Sequence, residues 1–109
     1  MANLSEGPQC PRLYSEHCWA SLVKLLRSEW RGNTHSDCAA TLRWVKSNPG
    51  KEMPIGNILD AQYYSSEEMI VFRNVLGQFE PCGIPIRETG RLLAEVFDAT
   101  LPGRPLGAP

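Results

Sequence analysis

YYSSEEMIVFRNVLGQFEP, residues 63–81, carries the clearest apolar period in the chain and sets the expectation for everything around it. Met69, Phe72, Leu76 and Phe79 recur at spacings of three, four and three, one stripe of a helix with 3.6 residues per turn. Ile70, Val71 and Val75 widen that stripe, as in a helix covered on several sides. Ser65 and Glu68 stand at the spacing of a capping box, in which the serine oxygen and the glutamate carboxylate satisfy free N–H groups of the first turn. Pro81 supplies a stop, because the residue before a proline avoids the helical region. The reading is a central helix over 66–79, with Gly77 tolerated inside it at a cost of about 1 kcal/mol relative to alanine.

Outward from this stretch, the chain reads as one domain. It has 109 residues, enough to bury a core without staples, and 42% of them are hydrophobic, which excludes global disorder. Ser15 can cap a helix over 16–31, with Trp19, Leu22, Val23, Leu26 and Trp30 as its buried stripe and Gly32-Asn33 as its stop. Thr34 or Ser36 can cap a second helix over 37–47, with Cys38, Thr41, Leu42 and Val45 inward. Ser47-Asn48-Pro49-Gly50 is a turn signal. In 51–62, Pro54 and Gly56 interrupt any long element, leaving a short extended segment near 53–59 or one helical turn. Pro85 and Arg87-Glu88 lead into a last helix over 86–98. The expected fold is therefore mostly α: a small four-helix domain over 14–99, with flexible tails at 1–13 and 100–109 rich in proline and glycine.

Charge is distributed unevenly. The net charge is −1, which argues against a strongly electrostatic nucleic-acid binder. From Arg12 to Lys51, seven basic and three acidic residues leave a balance of +4; from Glu52 to Asp98, three basic and eight acidic leave −5. Either the two halves pack together with complementary rims, or the basic half faces a partner. The N-terminus lacks the apolar core of a signal peptide and no run is long enough to span a membrane, so the chain reads as intracellular, cytoplasmic and without a membrane partner. On that placement its four cysteines, Cys10, Cys18, Cys38 and Cys82, are expected to be reduced.

No constellation in the chain carries a complete chemistry. Cys18-Trp19 at the start of a helix resembles the nucleophile dipeptide of papain-like enzymes. That chemistry needs a histidine to take the thiol proton. His17 is adjacent and turned about 100° away on a helix, and His35 comes too early for the distant partner such folds supply. His35 and Cys38 are spaced to share an ion, but a structural zinc site shows two short-spaced ligand pairs and this chain shows one. Glu67-Glu68 and Glu95 with Asp98 read as a cap and a solvated face. No glycine-rich phosphate loop or nucleophile elbow is present, so no catalytic residue, metal or cofactor is assigned.

What remains is surface. The expected function is a non-enzymatic protein–protein interaction or regulatory module, such as an adaptor, an inhibitor or an assembly subunit, with self-association left open. Tryptophan and arginine are enriched at binding hot spots, which makes Trp44 with Arg43 the first candidate contact and Trp30 with Arg27 and Arg31 the second. The alternative is a small nucleic-acid-binding regulator that sets Lys24, Arg27, Arg31, Arg43, Lys46 and Lys51 against phosphates and stacks Trp44 on a base. Residues 84–97 faintly resemble the first helix of a helix-turn-helix, but Pro102, Gly103 and Pro105 stand where a recognition helix should follow.

Overall fold

A computed structural model describes residues 16–30, 32–77 and 80–97. The fold is α+β: two helices, α1 (Glu16–Glu29) and α2 (His35–Ser47), precede a four-stranded sheet, and a third, α3 (Thr89–Phe97), follows it. The strands are β1 (Met53–Pro54), β2 (Leu59–Tyr64), β3 (Met69–Asn74) and β4 (Cys82–Pro85), joined to α3 by a 3-10 turn over Ile86–Glu88. They form an antiparallel meander in the order β1-β2-β3-β4.

The four-helix expectation is thus overturned at its centre. Residues 63–81 do not form a helix: they supply the end of β2, a turn, all of β3 and the approach to β4. Ser65 and Glu68 are not a capping box but the ends of a tight turn, in which Glu68 N–H donates to the Ser65 carbonyl at 3.2 Å and Glu68 adopts φ +56°. Two facts explain the outcome. Tyr63-Tyr64 and Ile70-Val71-Phe72 are β-branched or aromatic, side chains that fit a pleated surface. Met69, Ile70, Val71 and Phe72 are moreover all buried in succession, which a strand covered on both faces achieves as readily as a helix. Leu76, assigned to the helical stripe, is 61% exposed in the β3–β4 turn. The remaining member of that supposed stripe, Phe79, lies outside the described residues, as do both expected tails, Ser15, Arg31 and Cys10.

The other elements follow their local signals. Thr34 caps α2, its Oγ1 accepting from Asp37 N–H at 3.0 Å. Gly32 stands at φ +92° just past α1, a conformation that side chains disfavour. All three helices lie on one face of the sheet. Trp19, Leu22 and Leu26 of α1, Leu42 and Val45 of α2, and Leu92 and Val96 of α3 close over Leu59, Ala61, Ile70, Phe72 and Ile84. Cys18 is not free: it is bonded to Cys82, with the Cα atoms 5.8 Å apart, tying the first turn of α1 to the start of β4. The expectation of reduced cysteines fails here because it rested on an assumed compartment rather than on geometry. Cys38 remains a free, buried thiol.

Both edges of the sheet are blunted by proline. Ile86 N–H donates to the Glu68 carbonyl and Ile55 N–H to that of Leu59, so residues 82 and 84 face β3 and residues 53 and 55 face β2. By the alternation of an antiparallel ladder, the outward positions are Pro81, Gly83 and Pro85 on one edge and Pro54 on the other. Proline has no N–H to offer an incoming strand.

Candidate partner-binding surface

The outer face of α2 is where the surface candidates come together. Cys38, Leu42 and Val45 turn inward. Ala40, Arg43, Trp44 and Ser47 are exposed, at positions i, i+3, i+4 and i+7, and so share one stripe. Trp44 is 40% exposed, whereas Trp19 and Trp30 are each 3% exposed. The small Ala40 and Ser47 flank Trp44 along the helix and leave its ring accessible. The carbonyl of Trp44 accepts from Asn48 Nδ2 at 2.8 Å, so its backbone is fixed at the C-terminal turn.

Trp30 and Arg27 are built into the fold instead. Trp30 stacks on Phe97, ring centroids 6.1 Å apart. Arg27 donates from Nη2 to the Glu95 carbonyl of α3 at 2.8 Å, and its buried Nε has no hydrogen-bond partner among the described residues. The second candidate cluster therefore contributes one core ring and one interhelical arginine; Arg31 is outside the described residues. Of the basic set proposed for nucleic acid, Lys24, Arg43 and Lys51 are exposed and Lys46 is half-buried. Among the described residues, none of these four has an ion pair. Arg73 with Glu52 and Asp60, and Arg91 with Glu88 and Glu95, form pairs inside the acidic half.

The pairs tested for chemistry separate. His35 is exposed and meets Phe97 edge-on at 5.7 Å, while Cys38 is 1% exposed in the core. Burial pushes the Cys38 thiol up to about 11, with the charge of Asp37 adding to the effect, so it holds its proton at neutral pH. Among the described residues no three histidine, cysteine, aspartate or glutamate side chains gather as a metal site. Trp19, beside the bonded Cys18, donates from Nε1 to Glu95 Oε1 at 2.8 Å, and the Arg91 guanidinium lies 4.1 Å over its ring.

One exposed apolar feature went unnoticed in the sequence. Val75 and Leu76, 58% and 61% exposed, form the tip of the β3–β4 turn. Asn74 Oδ1 accepts from Leu76 N–H at 2.7 Å and Gly77 stands at φ +75°. The Asn-x-x-Gly spacing was the available signal, hidden by the helical period laid over it. No helix among the described residues is long and apolar enough to cross a membrane. Neither a family model, nor a curated protein, nor a solved structure matches the chain.

Proposed function

We propose that the chain is a non-enzymatic protein–protein interaction or regulatory module that presents the outer stripe of α2 to a protein partner. The observation that carries this reading is Trp44: of three tryptophans, two are consumed by the core and one stands exposed beside an arginine that has no ion pair among the described residues. A partly exposed tryptophan flanked by small residues is the kind of anchor on which interface energy concentrates. The prolines on both sheet edges disfavour strand addition, which leaves a helix face as the better mode of contact. The test is affinity capture with the wild-type chain and with Trp44→Ala and Arg43→Glu, each first shown to unfold at the wild-type temperature. A specific partner held by the wild type and lost from both variants supports the reading. A partner retained equally by all three removes α2 from it.

A second reading keeps nucleic acid as the partner, favoured by Lys24, Arg43 and Lys51 standing exposed without ion pairs among the described residues. It requires RNA or DNA binding that weakens steeply with salt and is lost when Arg43, Lys46 and Lys51 are neutralised together. Salt-independent behaviour would exclude it.

A further inference from the structure

The C-terminal half of α2 carries charge as well as a ring. Arg43 and Lys51 are exposed and Lys46 is half-buried, and none of the three has an ion pair among the described residues. Asn48 joins Lys51 to Trp44. Its Nδ2 donates to the Trp44 carbonyl at 2.8 Å, and its own carbonyl accepts from Lys51 N–H at 3.1 Å. Gly50 N–H donates to the Tyr63 carbonyl at 2.9 Å and pins the same turn to the end of β2. The backbone that carries Lys51 is therefore fixed just beyond the indole, and Arg43 directly precedes it. Nearby carboxylates do not answer these charges. Glu52, next to Lys51 in the chain, pairs with Arg73. Asp37 shares the outer face but lies two turns before Trp44, roughly 10 Å along the helix. Lys46 stands in the last turn, where it complements the negative end of the helix dipole. Arg43 and Lys51 have no such counterpart among the described residues.

We propose, resting on the reading of α2 as the contact face, that its partner is an acidic protein segment that lays an apolar side chain on Trp44 and carboxylates on Arg43 and Lys51. Charge complementarity selects the sign of the partner. An arginine takes a carboxylate through two parallel N–H bonds, and an indole offers flat apolar area between the charges. The face is the convex side of a helix, which cups no small molecule but lets a length of chain lie along it. Three cations are few for a nucleic acid, whose phosphate-driven binding commonly draws on about six to ten contacts. A second copy meeting this face about a two-fold axis would set cation against cation.

Nuclear magnetic resonance of the full chain tests the proposal through the indole N–H signal of Trp44, identified by its loss in Trp44→Phe. The probes are a short amphipathic peptide of leucine and glutamate, its leucine–glutamine counterpart and a thymidine oligonucleotide. The expected result is that the glutamate peptide shifts the signal and binds about tenfold more tightly than the glutamine peptide, with an affinity that falls as salt rises. Arg43→Glu with Lys51→Glu, shown to melt like the wild type, should weaken the glutamate peptide about tenfold and leave the glutamine peptide unchanged. Equal affinity for the two peptides overturns the acidic partner and leaves α2 as a contact face. A signal unmoved by either peptide overturns it equally, and α2 is then judged by whether Trp44→Ala loses a captured partner. A stronger response to the oligonucleotide assigns the face to nucleic acid, and a shift on concentrating the protein alone assigns it to a second copy; either result overturns the proposal.

Discussion

The Glu29 carboxylate at the end of α1 accepts from Asn57 N–H at 2.9 Å and touches the space above Gly56, where a Cβ would stand 2.0 Å from Glu29 Oε1. Ile58 N–H points at the same oxygen from 3.4 Å. One side chain thus seats the β1–β2 loop against the helix, and Gly56 is required by that close approach. Gly56→Ala should displace the carboxylate and cost about 1–3 kcal/mol, the penalty for leaving such donors unmatched. Glu29→Ala should cost a comparable amount. In the double variant the two costs should fall well short of additive, because the alanine at 56 then no longer meets the carboxylate and is left with the residue 29 Cβ at 3.0 Å as its near neighbour. Urea denaturation of the four proteins checks this; full additivity would show that the contact is not shared.

The Cys18–Cys82 bond closes a long loop, 64 residues apart in sequence. Cross-links of that kind typically stabilise by about 2–4 kcal/mol through the unfolded state. Thermal melts with and without a phosphine reductant should therefore differ by several degrees, and Cys82→Ser should melt like the reduced protein. Identical melting in all three would mean that the core alone holds α1 to β4.

Glu68 sits in the left-handed region at φ +56°, which costs an L-residue with a Cβ roughly 1 kcal/mol or more. Glu68→Gly should remove that strain and stabilise the fold by a few tenths to about 1 kcal/mol, the gain being reduced by the freer glycine in the unfolded chain. A loss of stability in chemical denaturation would show that the side chain contributes more than its backbone costs.

The same residue shows why the fold was only partly legible. Helices α1, α2 and α3 were readable because each pairs a single apolar stripe with a local stop or cap: Gly32 after α1, Thr34 before α2, Pro85 ahead of α3. Residues 63–81 were not, because a strand buried on both faces has no alternation to reveal it. Ser65-Ser66-Glu67-Glu68 also serves a helix start and a hairpin turn alike. The β propensity of Ile70, Val71 and Phe72 was the stronger signal. Trp44 was legible as an outward residue from its angle on α2 and Trp30 as an inward one from the apolar stripe of α1, whereas the reach of Arg27 to α3 was not, because an interhelical contact leaves no mark in one sequence. The disulfide was invisible for a related reason, since spacing does not reveal which cysteines meet.

Cys38 gives the chain a pH dependence in the alkaline range. Its folded value of about 11 lies above the ordinary 9.0. A group that binds its proton more tightly when folded contributes stability that is complete below the unfolded value and is lost as pH rises through the folded one. Stability should therefore fall between about pH 9 and 11, and Cys38→Ala should flatten that fall. At neutral pH the thiol should react with iodoacetamide only after denaturant is added. Rapid labelling of the native protein would place Cys38 nearer to solvent than its 1% exposure indicates.

Trp30 and Trp44 give the sharpest contrast, because the same substitution should have opposite consequences. Trp30 is 3% exposed and stacked on Phe97, so Trp30→Ala should cost about 3–5 kcal/mol, as buried aromatic truncations do. Trp44, at 40% exposure on the outer stripe of α2, should cost less than about 1 kcal/mol when truncated and should leave the melting temperature nearly unchanged. If α2 is the contact face, it is Trp44→Ala that abolishes partner capture. The contrast separates the two roles a tryptophan can play in a domain of this size. A Trp44 whose removal unfolds the chain is a core residue, and the contact face must then be sought elsewhere, at Val75 and Leu76 first.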